Sequence, residues 1–331
     1  MKLYDLENHF YDECFVDAVT RRTRPPSYNK DTQIITWSEA LEAPFGKLVA
    51  LLLEVGGGRL ELMDKLGIST AVLSCSPGVE DLGAGESTEV ARKTNDALYE
   101  LTKKYPGRYL GSAILPVKDV EASCRELERC VKDLGFVSWH THSNYGESCP
   151  SDERYLPLFE MSARLGAYVY LHPQLPQGLR VNDLGFTVAG PGLGFTTDAM
   201  VALTRLVVKG LFDRVPNLKM VLGHLGEAFP FLLDRMDNRF KFLPNPKALN
   251  KQDFSYYFKN NIWVTTSGNM SKEAFACTAA VMGIDRILFG SDHPYESAAD
   301  MIRFVRELPL GETDRQKLYH KNAAALGIHI G

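Results

Sequence analysis

The sequence lacks the features that would assign it to a secreted, membrane or nucleic-acid-binding class. Its six cysteines form no C-x-x-C pair and no regular framework, so we expect reduced thiols rather than disulfides. The longest apolar run near the amino terminus, residues 48–53, is too short to span a bilayer, and no signal peptide is recognisable. The net charge of −4 over 331 residues offers no general attraction to nucleic acid or to anionic membranes. We therefore expect a cytoplasmic protein whose partner is a small molecule.

Strings that mark nucleotide-binding folds are also absent. The glycines between residues 173 and 194 resemble a phosphate loop, but no G-x-x-x-x-G-K-[ST] or G-x-G-x-x-G string opens a helix there. We interpret this stretch as a mobile lid or pocket loop. No internal repeat, low-complexity segment or change of composition divides the chain, so we expect residues 1–331 to form one domain.

What the sequence does contain is a regular alternation of short β-branched runs and amphipathic stretches, which is typical of strands and helices in turn. The runs predict eight strands, at residues 2–9, 69–74, 109–115, 136–140, 167–172, 218–222, 261–266 and 286–291. The amphipathic stretches predict helices at residues 47–66, 86–105, 118–132, 152–165, 197–209, 227–242, 272–282, 298–307 and 314–326. Eight such units favour a closed (β/α)8 TIM barrel over an open doubly wound sheet, whose dinucleotide fingerprint is missing.

A polar, proline-bearing insertion, residues 11–46, follows the first predicted strand. Because it leaves the strand at its carboxyl end, it could form a pocket wall or an oligomer contact. A solvated excursion is an equally good interpretation, and the sequence leaves this choice open.

Ionisable side chains stand where several predicted strands end. Glu7 and His9, two residues apart, point to the same face of the first strand. Three later apolar runs end in His172, in His224 and in Asp292. Taken singly, each has a structural explanation, such as a surface ion pair, a strand or helix cap, or a satisfied core histidine. In a parallel barrel, however, all strands end at one mouth, where five such groups together indicate a metal-bearing active site.

These residues lie in strings that resemble the amidohydrolase superfamily, and within it the metal-dependent decarboxylases of the γ-resorcylate, 5-carboxyvanillate and 2,3-dihydroxybenzoate type. The strings are E-N-H at residues 7–9, L-H-P at 171–173, G-H-L-G-E at 223–227 and G-S-D-H-P-Y-E at 290–296. Hydrolases of the superfamily usually begin with His-x-His, whereas this chain has Glu-x-His, as the decarboxylase branch does. The resemblance covers nearly the whole chain and implies four metal ligands: Glu7, His9, His172 and Asp292.

The same resemblance implies a polar pair beside the substrate, formed by His224 and Glu227. Arg235, in the helix that follows, is expected to hold Glu227 in position from the side that faces away from the substrate.

Two carboxylates and two imidazoles suit Zn²⁺ or Mn²⁺, and we expect one ion per chain. Many binuclear relatives carry a bridging modified lysine at the end of the fourth strand, where this chain reads V-S-W-H-T-H at residues 137–142. His140 and His142 could present ligands of their own, because they share one face of that strand. Since four ligands are complete without them, we expect at most one to line the pocket, as a substrate contact. His293 should face away from the ligand side.

The resemblance implies a decarboxylase of an ortho-hydroxylated aromatic carboxylic acid. In this hypothesis Asp292 protonates the ring carbon that bears the carboxylate, while His224 and Glu227 orient the substrate and take part in the proton transfer. One alternative is a mononuclear metal-dependent hydrolase of a lactone or amide, in which Asp292 is a general base. A non-catalytic binding protein on the same barrel is the other. We also expect a homodimer or homotetramer, as is common among such relatives.

Overall fold

The computed structural model describes residues 2–38, 41–43, 47–76, 78–176, 178, 181–243 and 245–329. Over these residues the chain forms eleven strands: β1 (Tyr4–Phe10), β2 (Ser27–Asn29), β3 (Ile34–Ser38), β4 (Leu41–Ala43), β5 (Thr70–Cys75), β6 (Tyr109–Ala113), β7 (Ser138–His142), β8 (Tyr168–His172), β9 (Met220–Leu222), β10 (Ile262–Thr265) and β11 (Ile287–Leu288).

Over the same residues it forms thirteen α-helices: α1 (Glu13–Thr20), α2 (Leu48–Leu53), α3 (Gly57–Leu66), α4 (Ala84–Lys104), α5 (Val120–Lys132), α6 (Leu156–Leu165), α7 (Gly194–Val208), α8 (Leu211–Arg214), α9 (Phe229–Phe242), α10 (Phe254–Asn260), α11 (Lys272–Met282), α12 (Ala298–Glu307) and α13 (Glu312–Tyr319). None of these helices is both long enough and apolar enough to cross a membrane.

The predicted (β/α)8 barrel is confirmed. Strands β1 and β5 to β11 form one parallel sheet in chain order, with β1 and β11 at its two edges. Backbone hydrogen bonds join these edges, because Leu6 N donates to Phe289 O (2.9 Å) and His9 N donates to His293 O (2.7 Å). All eight carboxyl ends therefore open at one mouth. That residues 1–331 form a single domain stays a prediction.

Alternation along the barrel strands sorts their side chains into two buried layers. On β8, Tyr168 and Tyr170 point into the barrel, whereas Val169 and Leu171 pack outward against the surrounding helices. His172 is the next residue of the inward series, and it lies at the carboxyl end of the strand. The alternation therefore directs its imidazole into the barrel mouth.

The insertion after β1 is folded in its described part. Helix α1 follows Asp12, whose carboxylate accepts hydrogen bonds from two N–H groups of the first turn. Strands β2, β3 and β4 then form a small antiparallel sheet. Trp37 on β3 lines the cavity at the barrel mouth, so this insertion is a pocket wall rather than a solvated excursion. Residues 39–40 and 44–46 of the insertion lie outside the described residues, and an oligomer contact there stays a prediction.

The single helix predicted at residues 47–66 is wrong, because α2 and α3 are separate. Glu54 explains the break, since its carboxylate accepts hydrogen bonds from the N–H groups of Gly56 (3.1 Å) and Arg59 (2.5 Å) and so caps α3. The last predicted helix, residues 314–326, is also interrupted. Helix α13 ends at Tyr319, and the chain continues as a 3₁₀ helix, Lys321–Leu326.

Two further elements differ from the prediction. Helix α10 was not expected, because its phenylalanines and tyrosines have modest helix propensity, yet Phe254, Tyr257 and Phe258 bury one face of it. The strand predicted at residues 286–291 is regular only over β11. Beyond it the chain still hydrogen-bonds to β1, but in an irregular conformation that includes Asp292.

The stretch after β8 is a pocket loop, as predicted, in its described part. It contains a 3₁₀ turn, Asn182–Leu184, and a π-helical turn, Val188–Gly192, which leads into α7. Phe186, Pro191 and Phe195 line the cavity at the mouth. A Cβ on Gly194 would overlap the carbonyl oxygen of Ala189, so the close packing of this turn requires glycine. Its proposed mobility stays a prediction, and residues 177, 179 and 180 lie outside the described residues.

Candidate metal centre and active site

Four ligand-type side chains converge at the barrel mouth: Glu7, His9, His172 and Asp292. One ligand atom of each lies within 4.8 Å of one ligand atom of every other, and all four residues are buried. They come from β1, from the end of β8 and from the segment after β11. The structure thus brings together the four residues that the resemblance implies as ligands.

The backbone around this cluster is strained. Asp292 has a φ of 59°, a left-handed conformation that non-glycine residues rarely adopt. Its N–H donates to the carbonyl oxygen of Glu7 (2.9 Å), which fixes the two carboxylate-bearing residues side by side. Such conformations cost about 1–3 kcal/mol each and persist where the surrounding structure enforces them, typically at functional sites.

Several buried polar atoms of the cluster have no hydrogen-bond partner among the described residues. They include Glu7 Oε1, His9 Nε2 and Asp292 Oδ1. The last two lie 2.9 Å apart, but without hydrogen-bond geometry. Because an unsatisfied buried polar atom is costly, three such atoms in one cluster indicate that a ligand completes them. Two carboxylates and two imidazoles are a donor set that suits a divalent metal ion.

The electrostatics of the cluster agree with a cation site. Burial, together with repulsion from the Asp292 carboxylate, raises the pKa of Glu7. Burial also disfavours the charged form of Asp292, but electrostatic attraction to His224 and His9 outweighs burial and lowers the pKa of Asp292. Two carboxylates are therefore held close together in a site where only positive groups can stabilise both.

His224 and Glu227 form a second hydrogen-bonded group beside the cluster. His224 Nδ1 lies 2.8 Å from Glu227 Oε1, and Thr196 donates its hydroxyl to Glu227 Oε2 (2.7 Å). On the other side of the ring, His224 Nε2 lies 3.7 Å from Asp292 Oδ2. Burial opposes a charged imidazole here, but the Glu227 and Asp292 carboxylates raise the pKa of His224 well above its usual value. His224 is therefore the residue of this group that holds a proton.

Local backbone geometry places this pair. His224, Leu225 and Glu227 all have φ between 53° and 56°, in the left-handed region. Gly268, from the loop after β10, packs against the imidazole so closely that a Cβ would lie 2.7 Å from His224 Cδ2. The G-H-L-G-E string therefore forms a tight turn whose two polar side chains are clamped in one arrangement.

The cluster opens into a cavity of about 500 Å³, a volume typical of small-molecule sites. Its floor includes His172, His224, Glu227 and Asp292. Its walls are mostly apolar or aromatic, and they include Trp37, Leu48, Leu175, Phe186, Pro191, Phe195 and Tyr295. A polar floor beneath apolar walls fits a flat apolar ring that carries its charged group at one end.

The sequence predictions for Arg235 and His293 have different outcomes. Arg235 is exposed on α9 and, within the described part of the chain, makes no hydrogen bond or ion pair with Glu227, so its bracing role is wrong. Thr196 takes that position instead, and the sequence offered no motif to reveal it. His293 lies outside the four-residue cluster and off the cavity lining, as expected.

His140 and His142 lie inside the barrel, away from the cavity lining. With His172 they form a second group whose ligand atoms lie within 4.8 Å of one another. However, His142 uses both ring nitrogens, at 2.6 Å from Glu80 Oε1 and 2.9 Å from Ser76 Oγ. Of the three imidazoles, only His140 has a buried Nε2 without a partner. This arrangement favours a hydrogen-bonded role for His142 over a second metal site.

Arg59 is a buried cation that sequence reasoning missed. Its guanidinium donates to Asn8 Oδ1 (2.7 Å) and to the carbonyl oxygens of His9 (2.8 Å) and Leu51 (2.6 Å). Burial lowers its pKa to about 10, which still leaves it charged at neutral pH. Arg59 thus ties α3 to the end of β1 that carries Glu7 and His9. A lone arginine in a helix gives no sequence signal of such a contact.

Comparison with known proteins agrees with this geometry. The amidohydrolase family model matches residues 69–326 of this chain. A γ-resorcylate decarboxylase of Rhizobium sp. (strain MTP-10005) is 36% identical over 287 residues, covering 83% of this chain and 88% of that protein. The crystal structure of 2,6-dihydroxybenzoate decarboxylase from Rhizobium has a TM-score of 0.86 at 31% identity, covering 98% of both chains.

A third relative was solved with a metal ion. The crystal structure of dihydroxybenzoic acid decarboxylase from Polaromonas sp. JS666, with bound manganese and the inhibitor 2-nitroresorcinol, has a TM-score of 0.84 at 32% identity. The similarity covers 98% of this chain and 96% of that chain. A divalent metal centre is thus supported both by the donor set of this chain and by a similar protein.

Asp81, next to Glu80 after β5, yields a prediction on pH and stability. Burial, with repulsion from Glu80, raises the pKa of Asp81 to about 6. Because an unfolded aspartate titrates near pH ~4, the stability that the neutral form contributes is lost as the pH rises from about 4 to about 6. Asp81→Asn should therefore raise the melting temperature of the metal-free protein at about pH 7.5 and leave it unchanged at about pH 4. Exposed Asp31→Asn is the control, and equal gains at both pH values would contradict the assignment.

Proposed function

Because the chain belongs to the amidohydrolase family, we propose that it is a metal-dependent, non-oxidative decarboxylase of an ortho-hydroxylated benzoate. The observation that carries this proposal is the cluster of Glu7, His9, His172 and Asp292 at the floor of an aromatic-walled cavity. The similarity to γ-resorcylate and dihydroxybenzoate decarboxylases over more than four fifths of the chain supports it. The ring substitution pattern of the substrate is left to experiment.

We propose that these four residues hold one divalent ion, Mn²⁺ or Zn²⁺. The manganese in the Polaromonas structure supports Mn²⁺, and the engaged nitrogens of His142 support a single ion. When bound, the ion supplies positive charge that attracts the substrate carboxylate and its ortho hydroxyl and fixes the ring in one orientation. The aromatic walls, among them Trp37 and Phe195, exclude water and hold the ring flat.

Asp292 is the proposed proton donor to the ring carbon that bears the carboxylate. Its lowered pKa means that it does not keep a proton at rest, whereas His224, 3.7 Å away, does. The proton therefore passes from His224 to Asp292 and from there to the ring carbon. The bond to the carboxylate then breaks, its electron pair restores aromaticity, and CO₂ leaves. Glu227 holds the His224 ring in line for this transfer.

A lactone or amide hydrolase on the same site is not favoured. Glu7 occupies the position where hydrolases of the superfamily usually have a histidine, and the similar proteins reported above are decarboxylases. A non-catalytic binding protein would not need a proton-holding His224 beside an aspartate. We further propose a homodimer or homotetramer and a cytoplasmic location, which gel filtration with light scattering and cell fractionation can test.

The metal assignment predicts the behaviour of His9→Ala. The purified parent should contain close to one divalent ion per chain, and the variant should lose both the ion and the activity, since one of four ligands is gone. His329→Ala is the matched control, because that histidine is exposed near the carboxyl terminus. Metal content is measured by inductively coupled plasma mass spectrometry. Full metal content in His9→Ala would remove His9 from the ligand set, and two ions in the parent would contradict the single site.

The proton-donor assignment predicts that Asp292→Asn keeps its metal but loses turnover. The amide retains an oxygen that can reach the ion, yet it has no carboxylic proton to deliver. General acid catalysis contributes ~10²- to 10⁴-fold, so the rate of CO₂ release should fall by at least about 100-fold. Exposed Asp31→Asn should match the parent. If Asp292→Asn holds its metal and decarboxylates hydroxybenzoates at nearly the parent rate, His224 becomes the donor instead.

Isotope labelling separates the reaction classes. In D₂O a decarboxylase places one deuterium on the ring carbon that lost CO₂, since the proton comes from solvent through the enzyme. A hydrolase instead places solvent oxygen in its product, which ¹⁸O-labelled water reveals by mass spectrometry. Incubation with a panel of hydroxybenzoates and lactones should therefore give ring deuterium without ¹⁸O. Incorporation of ¹⁸O from a lactone, without CO₂ release from any hydroxybenzoate, would overturn the proposed function.

A further inference from the structure

We infer that Ser74 and Ser76 set the ring orientation and the tautomer of the two histidine ligands, His9 and His172, and thereby govern the affinity of the site for its metal. This inference rests on the ligand set of the proposed function. Ser74 lies on β5, a barrel strand that contributes none of the four proposed ligands, and Ser76 directly follows its last residue. They are two residues apart, so their hydroxyls lie on the same side of the strand.

Ser74 acts on His9, its neighbour in the parallel register of β1 and β5. His9 Nδ1 lies 3.0 Å from Ser74 Oγ, while His9 Nε2 faces the cluster. A neutral imidazole carries one N–H, and a metal needs the lone pair of the nitrogen that binds it. With Nε2 directed to the metal, the hydrogen is on Nδ1 and Ser74 Oγ accepts it. No other described residue provides a hydrogen-bond partner for this nitrogen.

Ser76 acts on His172 from across the barrel mouth. His172 Nδ1 lies 2.8 Å from the carbonyl oxygen of Pro173 and 3.3 Å from Ser76 Oγ. Both are positions from which an oxygen can accept the Nδ1 hydrogen, so Nε2 keeps its lone pair for the metal. Tyr295 donates its hydroxyl to the carbonyl oxygen of Ser76 (2.6 Å), which holds the backbone of this serine in place.

A buried carboxylate fixes the direction of the Ser76 hydroxyl. His142 Nδ1 donates to Glu80 Oε1 (2.6 Å), which leaves the lone pair of His142 on Nε2. The Ser76 hydroxyl, 2.9 Å away, donates to that nitrogen. Ser76 Oγ can then accept a hydrogen bond from His172 Nδ1. Each donor in this series of hydrogen bonds, from His172 through Ser76 and His142, points its hydrogen towards Glu80. Glu80, His142 and Ser76 are all buried, so water does not compete for these bonds.

The assignment is tested on metal affinity in the absence of substrate. The Mn²⁺ dissociation constants of Ser74→Ala and Ser76→Ala are measured by competition with a chelating dye, and each should rise by about 10- to 100-fold. The melting temperature of the metal-free protein should change little. The visible absorption spectrum of the Co²⁺-loaded variants should differ from that of the parent, because the imidazoles are no longer held. Ser74→Thr and Ser76→Thr, which keep the hydroxyl, should recover the parent affinity.

Ser162→Ala is the matched control. That serine is equally buried and donates its hydroxyl to the carbonyl oxygen of Ala167, outside the cluster, so its loss should not alter the Mn²⁺ dissociation constant. Values within about twofold of the parent for both Ser74→Ala and Ser76→Ala would overturn the inference, since such partners typically matter by tenfold or more. A parent that binds Mn²⁺ but releases no CO₂ would contradict the proposed function alone.

A double-mutant cycle tests the part played by His142. His142→Phe should also weaken Mn²⁺ binding, but Ser76→Ala combined with His142→Phe should bind no more weakly than Ser76→Ala alone. This result is expected because His142 reaches the metal ligand only through the Ser76 hydroxyl. Additive losses of Mn²⁺ affinity in the double variant would show that His142 acts by another route. They would overturn the proposed series of hydrogen bonds from His172 to Glu80.

Discussion

The backbone hydrogen bonds between β1 and the segment after β11 are the constraint on which the rest of the site depends. They close the barrel, and one of them joins Asp292 N to Glu7 O over 2.9 Å. Residues from opposite ends of the chain thereby become neighbours. The carboxylates of Glu7 and Asp292 repel each other, so side-chain attraction does not account for their proximity. The backbone holds them together, and a cation bound at this site would offset the repulsion.

Strain is concentrated in the same place. Of the five non-glycine residues with positive φ in the described part of the chain, four belong to the site: His224, Leu225, Glu227 and Asp292. A well-packed barrel can sustain these conformations, because its two buried layers and the closing hydrogen bonds leave the loops little freedom. The result is a set of polar groups held in position before any substrate arrives, which is the condition for electrostatic and proton-transfer catalysis.

Residues on the barrel side hold the site in place, and loops on the solvent side form its cavity wall. Arg59, Ser74 and Ser76 contact the proposed histidine ligands or their backbone from segments that carry no proposed ligand. On the solvent side, the insertion and the loop after β8 contribute Trp37 and Phe186 to the cavity wall. This division is typical of barrel enzymes, in which strand ends provide the chemistry and the loops provide the shape that selects the substrate.

Whether a feature of the structure could be predicted from the sequence depends on whether local interactions or contacts between distant segments determine it. The eight strands, the barrel and the positions of Glu7, His9, His172 and Asp292 were readable, because periodicity is local and parallel strands must end at one mouth. The break at Glu54 and helix α10 were not, since a carboxylate cap and the packing of aromatic residues overrode the local pattern. The sequence likewise suggested that Arg235 braces Glu227, whereas only the folded structure shows that Thr196 contacts it.

The sequence by itself therefore determined which ligand-type residues meet at the barrel mouth and which fold collects them. Only the tertiary structure decided their hydrogen-bond partners, such as Ser76 for His172 and Glu80 for His142, which lie 96 and 62 residues away. It also decided which nitrogen of each imidazole faces the metal site. The physical reason is that spacing along a strand specifies the face on which a side chain lies, whereas a hydrogen bond between distant segments depends on how the whole barrel closes.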